Sequence, residues 1–296
     1  MPLTPDLSRA LADTPDVQWS VRAVDVATGR ELCSHDAGAV LPTASVGKVL
    51  LLVETARQVE AGELDPAQPL PRLAEDAVQD SGIWQLMAAD RLCVDDLAHL
   101  VGIMSDNLAT NVLLRRVGLD RVQRTADHLG LRHTRLNDRV RDQRGPGDPW
   151  TLSEGSASEW VDLLTRLDAD AVVSAEVSRR VLAWLRAGAD LSMVAQPLGL
   201  DPLAHSDGDR RMRLWHKTGT DDGTRADVGL LSGPDGTVAY AALARWDPTG
   251  PDRRMPVLAA MHTLGRVLLA AVAHRPMAAE ASGHGADVAG PLRFTV

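Results

Sequence analysis

The stretch Pro42-Thr-Ala-Ser45-Val-Gly-Lys48-Val-Leu-Leu-Leu-Val53 decides how the rest of the sequence is interpreted. It predicts the start of a helix that is apolar on almost every side, and such helices lie in the middle of a fold. Ser45 and Lys48 are three residues apart, so they share a helix face and their side chains can meet. Poor solvation among valines and leucines lowers the pKa of a lysine and makes its amine a possible base. A serine beside such a base is an activated nucleophile.

Lysine is rare in this chain. Of the 31 basic residues, two are lysines, Lys48 and Lys217, and 29 are arginines. The ordinary interpretation of the many arginines is a genome bias towards arginine codons. Arginine stays protonated in proteins, whereas lysine can act as a base. We therefore expect a chemical role for both lysines.

The composition bounds the class of protein. The chain has 296 residues, of which 45% are hydrophobic and 24% charged, as is usual for a globular protein. Its net charge of -9 argues against nucleic acid or an anionic membrane as a partner. No apolar run reaches membrane-spanning length. Cys33 and Cys93 lack metal-ligand spacing, so we expect two free thiols and no metal.

The N-terminal residues have no positively charged region followed by an apolar stretch. This pattern predicts no signal peptide and therefore a cytoplasmic location.

Hydrophobic periodicity predicts an α+β fold with two layers. An antiparallel sheet is built from both chain ends, terminal helices cover it, and an all-helical domain is inserted in the middle. The residues 134–150 have no clear period and form an unusually long loop. Helices are expected at 4–13, 45–60, 97–103, 108–116, 120–129, 152–167, 175–186 and 255–273, and strands at 17–26, 31–34, 211–217, 226–231 and 237–246.

The same pattern predicts one structural unit over residues 1–275. Its sheet subdomain comprises 1–44 and 205–275, and its helical subdomain comprises 45–204. The residues 276–296 are rich in alanine and glycine, so we expect a mobile tail.

Two further stretches carry polar groups suited to a site. Ser105-Asp106-Asn107 falls in a predicted turn between helices, where its side chains could also be helix N-caps. His216-Lys217-Thr218-Gly219-Thr220 ends a predicted strand, where backbone N–H groups can face a ligand. Taken alone, either stretch is common in proteins of this length.

In combination the stretches are specific. Ser-x-x-Lys, Ser-Asp-Asn and Lys-Thr-Gly occur in this order, and the set resembles that of the penicillin-recognising serine enzymes, in particular the class A β-lactamase-like family. The resemblance covers roughly 15–275 and includes Thr134-Arg-Leu136 and Arg225-x-Asp-Val-Gly229. It implies a β-lactamase/transpeptidase-like fold.

The resemblance implies a role for each motif residue. Ser45 would be the nucleophile and Lys48 its base or proton relay. Ser105 would pass a proton to the leaving nitrogen, and Asn107 would hold Lys48 and the substrate amide. Lys217 would supply positive charge to a substrate carboxylate and to Ser105.

The remaining implied roles concern binding. Thr218 would donate a hydrogen bond to the carboxylate, and Gly219 belongs to the same motif. The backbone N–H groups of Ser45 and Thr220 would form an oxyanion hole. Arg225 resembles a further arginine near the carboxylate site in some family members, although it could equally be a surface arginine.

The loop after Leu136 departs from the family pattern. β-Lactamases of this family carry a loop glutamate that activates the water for release of the acyl-enzyme. When this sequence is aligned to the family pattern from Thr134-Arg-Leu136 without gaps, Val140 takes the position of that glutamate, and with a shift of one residue Arg141 does. Asp142 is the nearest carboxylate, and Asp138 and Asp148 are alternatives. Each of them could instead be a solvated aspartate or a partner of nearby arginines.

These observations predict a serine hydrolase that acts through an acyl-enzyme on a β-lactam or a related amide or ester. Alternatives are an esterase or D-amino-acid peptidase with the same residues, or a covalent β-lactam sensor without efficient deacylation. We expect a small-molecule substrate that carries a carboxylate, and no cofactor.

Overall fold

A computed structural model describes residues 3–205 and 212–273 of the protein. These residues form eight α-helices and ten β-strands. The helices are α1 (Pro5–Ala12), α2 (Lys48–Glu60), α3 (Val94–Met104), α4 (Asn107–Val117), α5 (Leu119–His128), α6 (Ala157–Asp168), α7 (Ala175–Leu185) and α8 (Arg254–Val272). The strands are β1 (Gln18–Asp25), β2 (Glu31–His35), β3 (Val40–Pro42), β4 (Pro69–Pro71), β5 (Arg91–Cys93), β6 (Arg135–Leu136), β7 (Ser153–Ser156), β8 (Arg213–Asp221), β9 (Thr224–Gly233) and β10 (Gly236–Arg245).

Both ends of the chain build one antiparallel sheet of five strands, as predicted. The strand order is β2-β1-β10-β9-β8, so the N-terminal strand β1 pairs with the last strand β10. The turn between β9 and β10 falls at Gly233–Gly236, between the strands predicted at 226–231 and 237–246. Strand β8, which carries the Lys-Thr-Gly motif, is at the edge of the sheet.

The sheet separates two hydrophobic cores. Strands alternate their side chains between two faces, so β1, β9 and β10 contribute to both cores. One core contains α1 and α8, and the other contains the helical section with α2 and α6. On β10 the first core receives Val238, Tyr240, Ala242 and Ala244, and the second receives Ala239, Ala241 and Leu243.

Helix α8 differs from one expectation. By length and composition this helix is apolar enough to span a membrane, with a mean hydropathy of 1.6, although no such run was expected. Its buried residues pack against the sheet and α1, and 44% of its most apolar window is buried. A core helix of this kind passes the same test of composition.

The helical section surrounds α2, which is buried on nearly all sides as the opening stretch predicts. It also contains short strands: β7 pairs with β3 and β6, and β4 pairs with β5. The prediction of a helix from residue 152 is therefore wrong, because α6 begins at Ala157. Pairing on both sides of β7 overrides the helical pattern of its sequence.

Residues 276–296, predicted to be a mobile tail, lie outside the described residues. So does Arg211, the first residue of the strand predicted at 211–217.

Candidate active site

Ser45 stands out within a buried stretch. It lies in a short 3-10 turn, Ala44–Gly47, so α2 begins at Lys48 and not at Ser45 as predicted. Every residue from 41 to 50 is buried except Ser45. The preceding Ala44 has a positive φ of 46°, an unfavourable conformation for a residue with a Cβ. Ser153 Oγ donates to Ala44 O at 2.6 Å, which helps to hold this turn.

Edge strand β8 passes close to the Ser45 turn. A Cβ atom on Gly219 would lie 2.2 Å from Thr43 O and 3.1 Å from the backbone N of Ser45. Only glycine permits this approach. Gly219 therefore brings the strand against the Ser45 turn, and the neighbouring Thr220 lines the cavities beside Ser45.

The Lys48 amine is buried and contacts the α3–α4 turn. Its Nζ donates to Ser105 O at 2.7 Å, to Asn107 Oδ1 at 2.7 Å and to Ser105 Oγ at 3.3 Å. In the described part of the chain none of its hydrogen bonds goes to Ser45, which differs from the direct contact expected. Burial, together with the positive charge of Lys217, lowers the pKa of Lys48 well below its ordinary value.

The turn that carries Ser105 and Asn107 is sharply defined. Ser105 ends α3 in the left-handed conformation, with φ 54° and ψ 30°. Asp106 is the N-cap of α4 and accepts from Ala109 N at 2.9 Å, so the capping interpretation holds for this residue. Asn107 Nδ2 donates to Gln79 O at 3.0 Å, which fixes Oδ1 towards Lys48.

The three motifs meet at two adjoining cavities. One has a volume of about 390 Å³ and is lined by Ser45, Ser105, Lys217, Thr218 and Thr220 among others. The other has a volume of about 380 Å³ and includes Ser45, Asn107, Asp142 and Thr220 in its lining. Ser45 is therefore accessible from both cavities, whereas Lys48 lies behind them.

Lys217 is buried at the wall of the first cavity. Its Nζ donates to Thr218 O at 2.8 Å. Burial lowers the pKa of Lys217 to about 8, although the charges of Asp190 and Asp227 act in the opposite direction. The amine is thus charged at neutral pH and loses its charge in mild alkali.

The structure does not bring Arg225 into the lining of either cavity. Its guanidinium donates to Asp221 O at 3.1 Å and to Thr224 O at 2.7 Å, and lies 5.9 Å from the ring centroid of Trp246. The guanidinium is therefore held by backbone carbonyls and an aromatic ring, and its position favours the alternative of a structural strand arginine.

The three loop aspartates have different surroundings. Asp138 is buried and pairs with Arg141 at 2.7 Å and Arg144 at 2.6 Å, so this carboxylate is committed to structure. Asp148 pairs with Arg141 at 3.1 Å. Asp142 is exposed in the second cavity and accepts from Gln79 N at 2.8 Å. It is the loop aspartate that shares a cavity with Ser45.

The position that matching assigns to the missing glutamate is occupied by an apolar side chain in the cavity wall. Val140 is anchored by Asn111, which accepts from Val140 N at 2.9 Å and donates to Val140 O at 3.0 Å. Its neighbour Arg141 points to Asp138. Neither residue supplies a general base.

Sequence reasoning assigned no role to several cavity residues. Asp80 has a positive φ of 71°, lines the second cavity, and its charge acts to raise the pKa of Lys48. His216 lines the first cavity, and its Nδ1 lies 3.3 Å from buried Asp227. Asp190 lines the first cavity from the segment after α7. His216 precedes the Lys-Thr-Gly motif, which was a usable signal, whereas Asp80 and Asp190 belong to no motif.

Comparison with known proteins agrees with the fold. The family described as "Beta-lactamase enzyme family" matches residues 2–272. The chain is similar to a β-lactamase from Sphaerobacter thermophilus DSM 20745, with 24% identity, a TM-score of 0.77, and coverage of 89% of this chain and 95% of that chain. It is similar to a class A β-lactamase from Mycobacterium abscessus, with 20% identity, a TM-score of 0.75, and coverage of 90% and 97%.

A third similar structure is a mutant of PBP-A described as an acyl-enzyme complex with penicillin G. The identity is 19% and the TM-score 0.75, with coverage of 90% of this chain and 94% of that chain. At these identities the solved structures show the fold alone, and the predicted fold class is confirmed.

Proposed function

The chain belongs to the β-lactamase enzyme family of hydrolases, and from this we propose that it is a serine hydrolase that acts through an acyl-enzyme on Ser45. The substrate is a β-lactam or a related amide or ester. The observation that carries the proposal is the environment of Lys48: a buried amine with a lowered pKa, joined to Ser105 and Asn107 and three residues from a serine open to the cavity.

In the first step, Ser45 Oγ attacks the carbonyl carbon and forms an ester. The bond from that carbon to the leaving nitrogen or oxygen breaks. Lys48 takes the Ser45 proton, and Ser105 passes a proton to the leaving group. The 3.3 Å between Lys48 Nζ and Ser105 Oγ supports this relay. Donors at the Ser45 and Thr220 backbone are suited to stabilise the oxyanion.

In the second step, water attacks the ester carbon, the bond to Ser45 Oγ breaks, and the acid product leaves. We assign activation of this water to Asp142, because it shares a cavity with Ser45 while Asp138 and Asp148 pair with arginines. Asp142 is exposed and already accepts a hydrogen bond from the backbone of Gln79, so we expect it to activate water less efficiently than a dedicated buried base. Acylation is therefore expected to be faster than deacylation.

Because deacylation is expected to be the slower step, we consider a second function. A protein that acylates and stays acylated would act as a covalent sensor of β-lactams. The apolar Val140 at the position of the family glutamate favours this possibility. The PBP-A mutant named above is described as an acyl-enzyme complex with penicillin G, so an acyl-enzyme is the species that an experiment on this protein should seek.

One experiment separates the candidates. The protein is mixed with a chromogenic cephalosporin, a fluorescent penicillin and a simple aryl ester, with Ser45→Ala as the control. Steady cephalosporin turnover supports a β-lactamase, and a stoichiometric burst with a stable adduct on Ser45 supports a sensor or peptidase. Turnover of the aryl ester alone supports an esterase. If Ser45→Ala matched the parent in every assay, the mechanism would be wrong.

Asp142→Asn tests the second step separately. We expect the burst amplitude to be unchanged and the steady rate to fall by about 10²-fold, because the step that uses the base comes after acylation. A steady rate equal to that of the parent would remove Asp142 from the mechanism.

A further inference from the structure

Asp190 lies where the resemblance predicts a subsite for a substrate carboxylate. It lines the 390 Å³ cavity together with Lys217 and Thr218, and its side chain is exposed there. Its Oδ1 accepts from Ser192 N at 3.1 Å and from Ser192 Oγ at 2.6 Å. A carboxylate offers about four acceptor positions, so capacity remains for a ligand.

The charges at this end of the cavity do not favour an anion. Lys217 is the sole lysine or arginine in the lining of this cavity, within the part of the chain that the structure describes. Two carboxylates, Asp190 and buried Asp227, are close enough to act on its charge. Arg225, the other cation expected here, is held by backbone carbonyls outside the lining. The lining of this cavity therefore sets one carboxylate, Asp190, against the positive charge of Lys217.

Asp190 keeps its negative charge although the surrounding protein removes part of its hydration. This desolvation raises the pKa of Asp190, but hydrogen bonding, chiefly from Ser192, outweighs it and lowers the pKa. The carboxylate is thus ionised at neutral pH. A second carboxylate placed here would meet a like charge.

We propose that Asp190 is a specificity-determining residue, which makes the leaving-group side of the cleft accept a cationic, ammonium-bearing group and disfavour a carboxylate. The inference rests on the proposed function, because it assumes that Lys217 and Thr218 face the leaving group. It replaces the expectation of a carboxylate-bearing substrate.

The test uses three thioesters with one acyl group and different leaving thiols. Phenylacetyl thioesters of thiocholine, 2-methoxyethanethiol and 3-mercaptopropionate carry a cation, no charge and a carboxylate, respectively. All three give the same acyl-enzyme, so differences in kcat/KM report the leaving-group side. Thiol release is followed with a chromogenic disulfide in the full-length protein, Asp190→Asn, Ser45→Ala and Asp222→Asn.

Asp190→Asn keeps a side-chain oxygen for Ser192 and removes the charge. Asp222→Asn is the matched control, because Asp222 is exposed near the end of β8 and lies outside both cavity linings. We expect the parent to prefer the thiocholine over the 3-mercaptopropionate thioester by about 10- to 100-fold, the effect of one like or unlike charge in a solvent-accessible cleft. In Asp190→Asn this ratio should fall to near one, and in Asp222→Asn it should remain.

The outcomes separate the two proposals. If thiol release depends on Ser45 but the ratio of kcat/KM for the thiocholine and 3-mercaptopropionate thioesters is the same in the parent and Asp190→Asn, the role of Asp190 is overturned. The proposed hydrolase function is then unaffected. If the parent prefers the 3-mercaptopropionate thioester, the role of Asp190 is likewise overturned. Release no faster than in Ser45→Ala for all three thioesters overturns the proposed function and, with it, this inference.

Discussion

Lys48 Nζ donates a 2.7 Å hydrogen bond to Asn107 Oδ1, across 59 residues of sequence and in a buried environment. A second N–H of the same amine goes to Ser105 O, also at 2.7 Å. Both of these oxygens are acceptors only. A neutral amine has two N–H groups, one for each of these oxygens, so in this form its 3.3 Å contact with Ser105 Oγ is made by the lone pair, which can accept a hydroxyl proton. Burial favours this neutral form. The two contacts hold the Lys48 amine in the orientation that its proposed role as a base requires.

Lys48→Arg is expected to abolish most of the activity. Arginine keeps the positive charge but stays protonated, so it cannot take the Ser45 proton. We expect kcat/KM for an aryl ester to fall by about 10³-fold, within the usual range for loss of a general base. The folded state of the variant is checked by near-ultraviolet circular dichroism and by its Tm. Parental activity in a folded Lys48→Arg would exclude Lys48 as the base.

Activity should decline in mild alkali because of Lys217. The pKa of this amine is lowered to about 8, and a lysine is charged below its pKa, so the charge beside Ser105 is present at neutral pH and is lost above about pH 8. The pH profile of kcat/KM should fall through this region. In Lys217→Arg the charge persists, so the decline should move to higher pH. An unchanged alkaline limb in that variant would assign the decline to another group.

Gly219→Ala should damage the Ser45 turn. The new Cβ would stand 2.2 Å from Thr43 O, so either β8 or the turn must move. We expect a loss of about 1–3 kcal/mol in the free energy of unfolding, typical of overpacking, and at least tenfold lower kcat/KM. Gly38→Ala is the matched control, because no atom lies within 4 Å of its added Cβ. Equal effects of the two substitutions on unfolding would contradict this account of Gly219.

Asp138→Asn should loosen the long loop. It removes the charge that Arg141 and Arg144 share, and since both arginines are partly exposed we expect a loss of about 1–3 kcal/mol in the free energy of unfolding. Asp148→Asn is the control and should cost less, because Asp148 has an ion pair with Arg141 whereas Asp138 has ion pairs with two arginines. Chemical denaturation of the three proteins at neutral pH checks the order.

The difference in stability between the parent and Asp138→Asn should depend on pH. Burial raises the pKa of Asp138, but hydrogen bonds from Arg141 and Arg144 outweigh it and leave the pKa below its ordinary value of 3.8. A carboxyl group with a lowered folded pKa stabilises the protein above its unfolded pKa and loses this contribution as the pH falls through the folded value. The stability difference between the parent and Asp138→Asn should therefore be full at neutral pH and shrink below about pH 3.8. A constant difference down to pH 2.5 would contradict the ion pairs.

Local patterns were sufficient for much of the fold. Hydrophobic periodicity predicted strands near both ends of the chain, at 17–26, 226–231 and 237–246, and the structure confirms that they form one sheet. Local patterns failed at residues 152–156, because β7 is a strand through pairing with β3 and β6, which come from elsewhere in the chain. Strand formation of this kind depends on partners that no local window contains.

The sequence by itself determined which chemistry is available: a serine three residues before a rare lysine in an apolar stretch, followed by two more polar motifs in a specific order. Only the tertiary structure decided how these groups are used. It turned Lys48 towards Ser105 and Asn107, kept Arg225 out of both cavity linings, paired Asp138 with arginines, and placed Asp190 beside Lys217. The physical reason is that hydrogen bonds and charges act over a few ångströms of space, and packing alone decides which distant residues come that close.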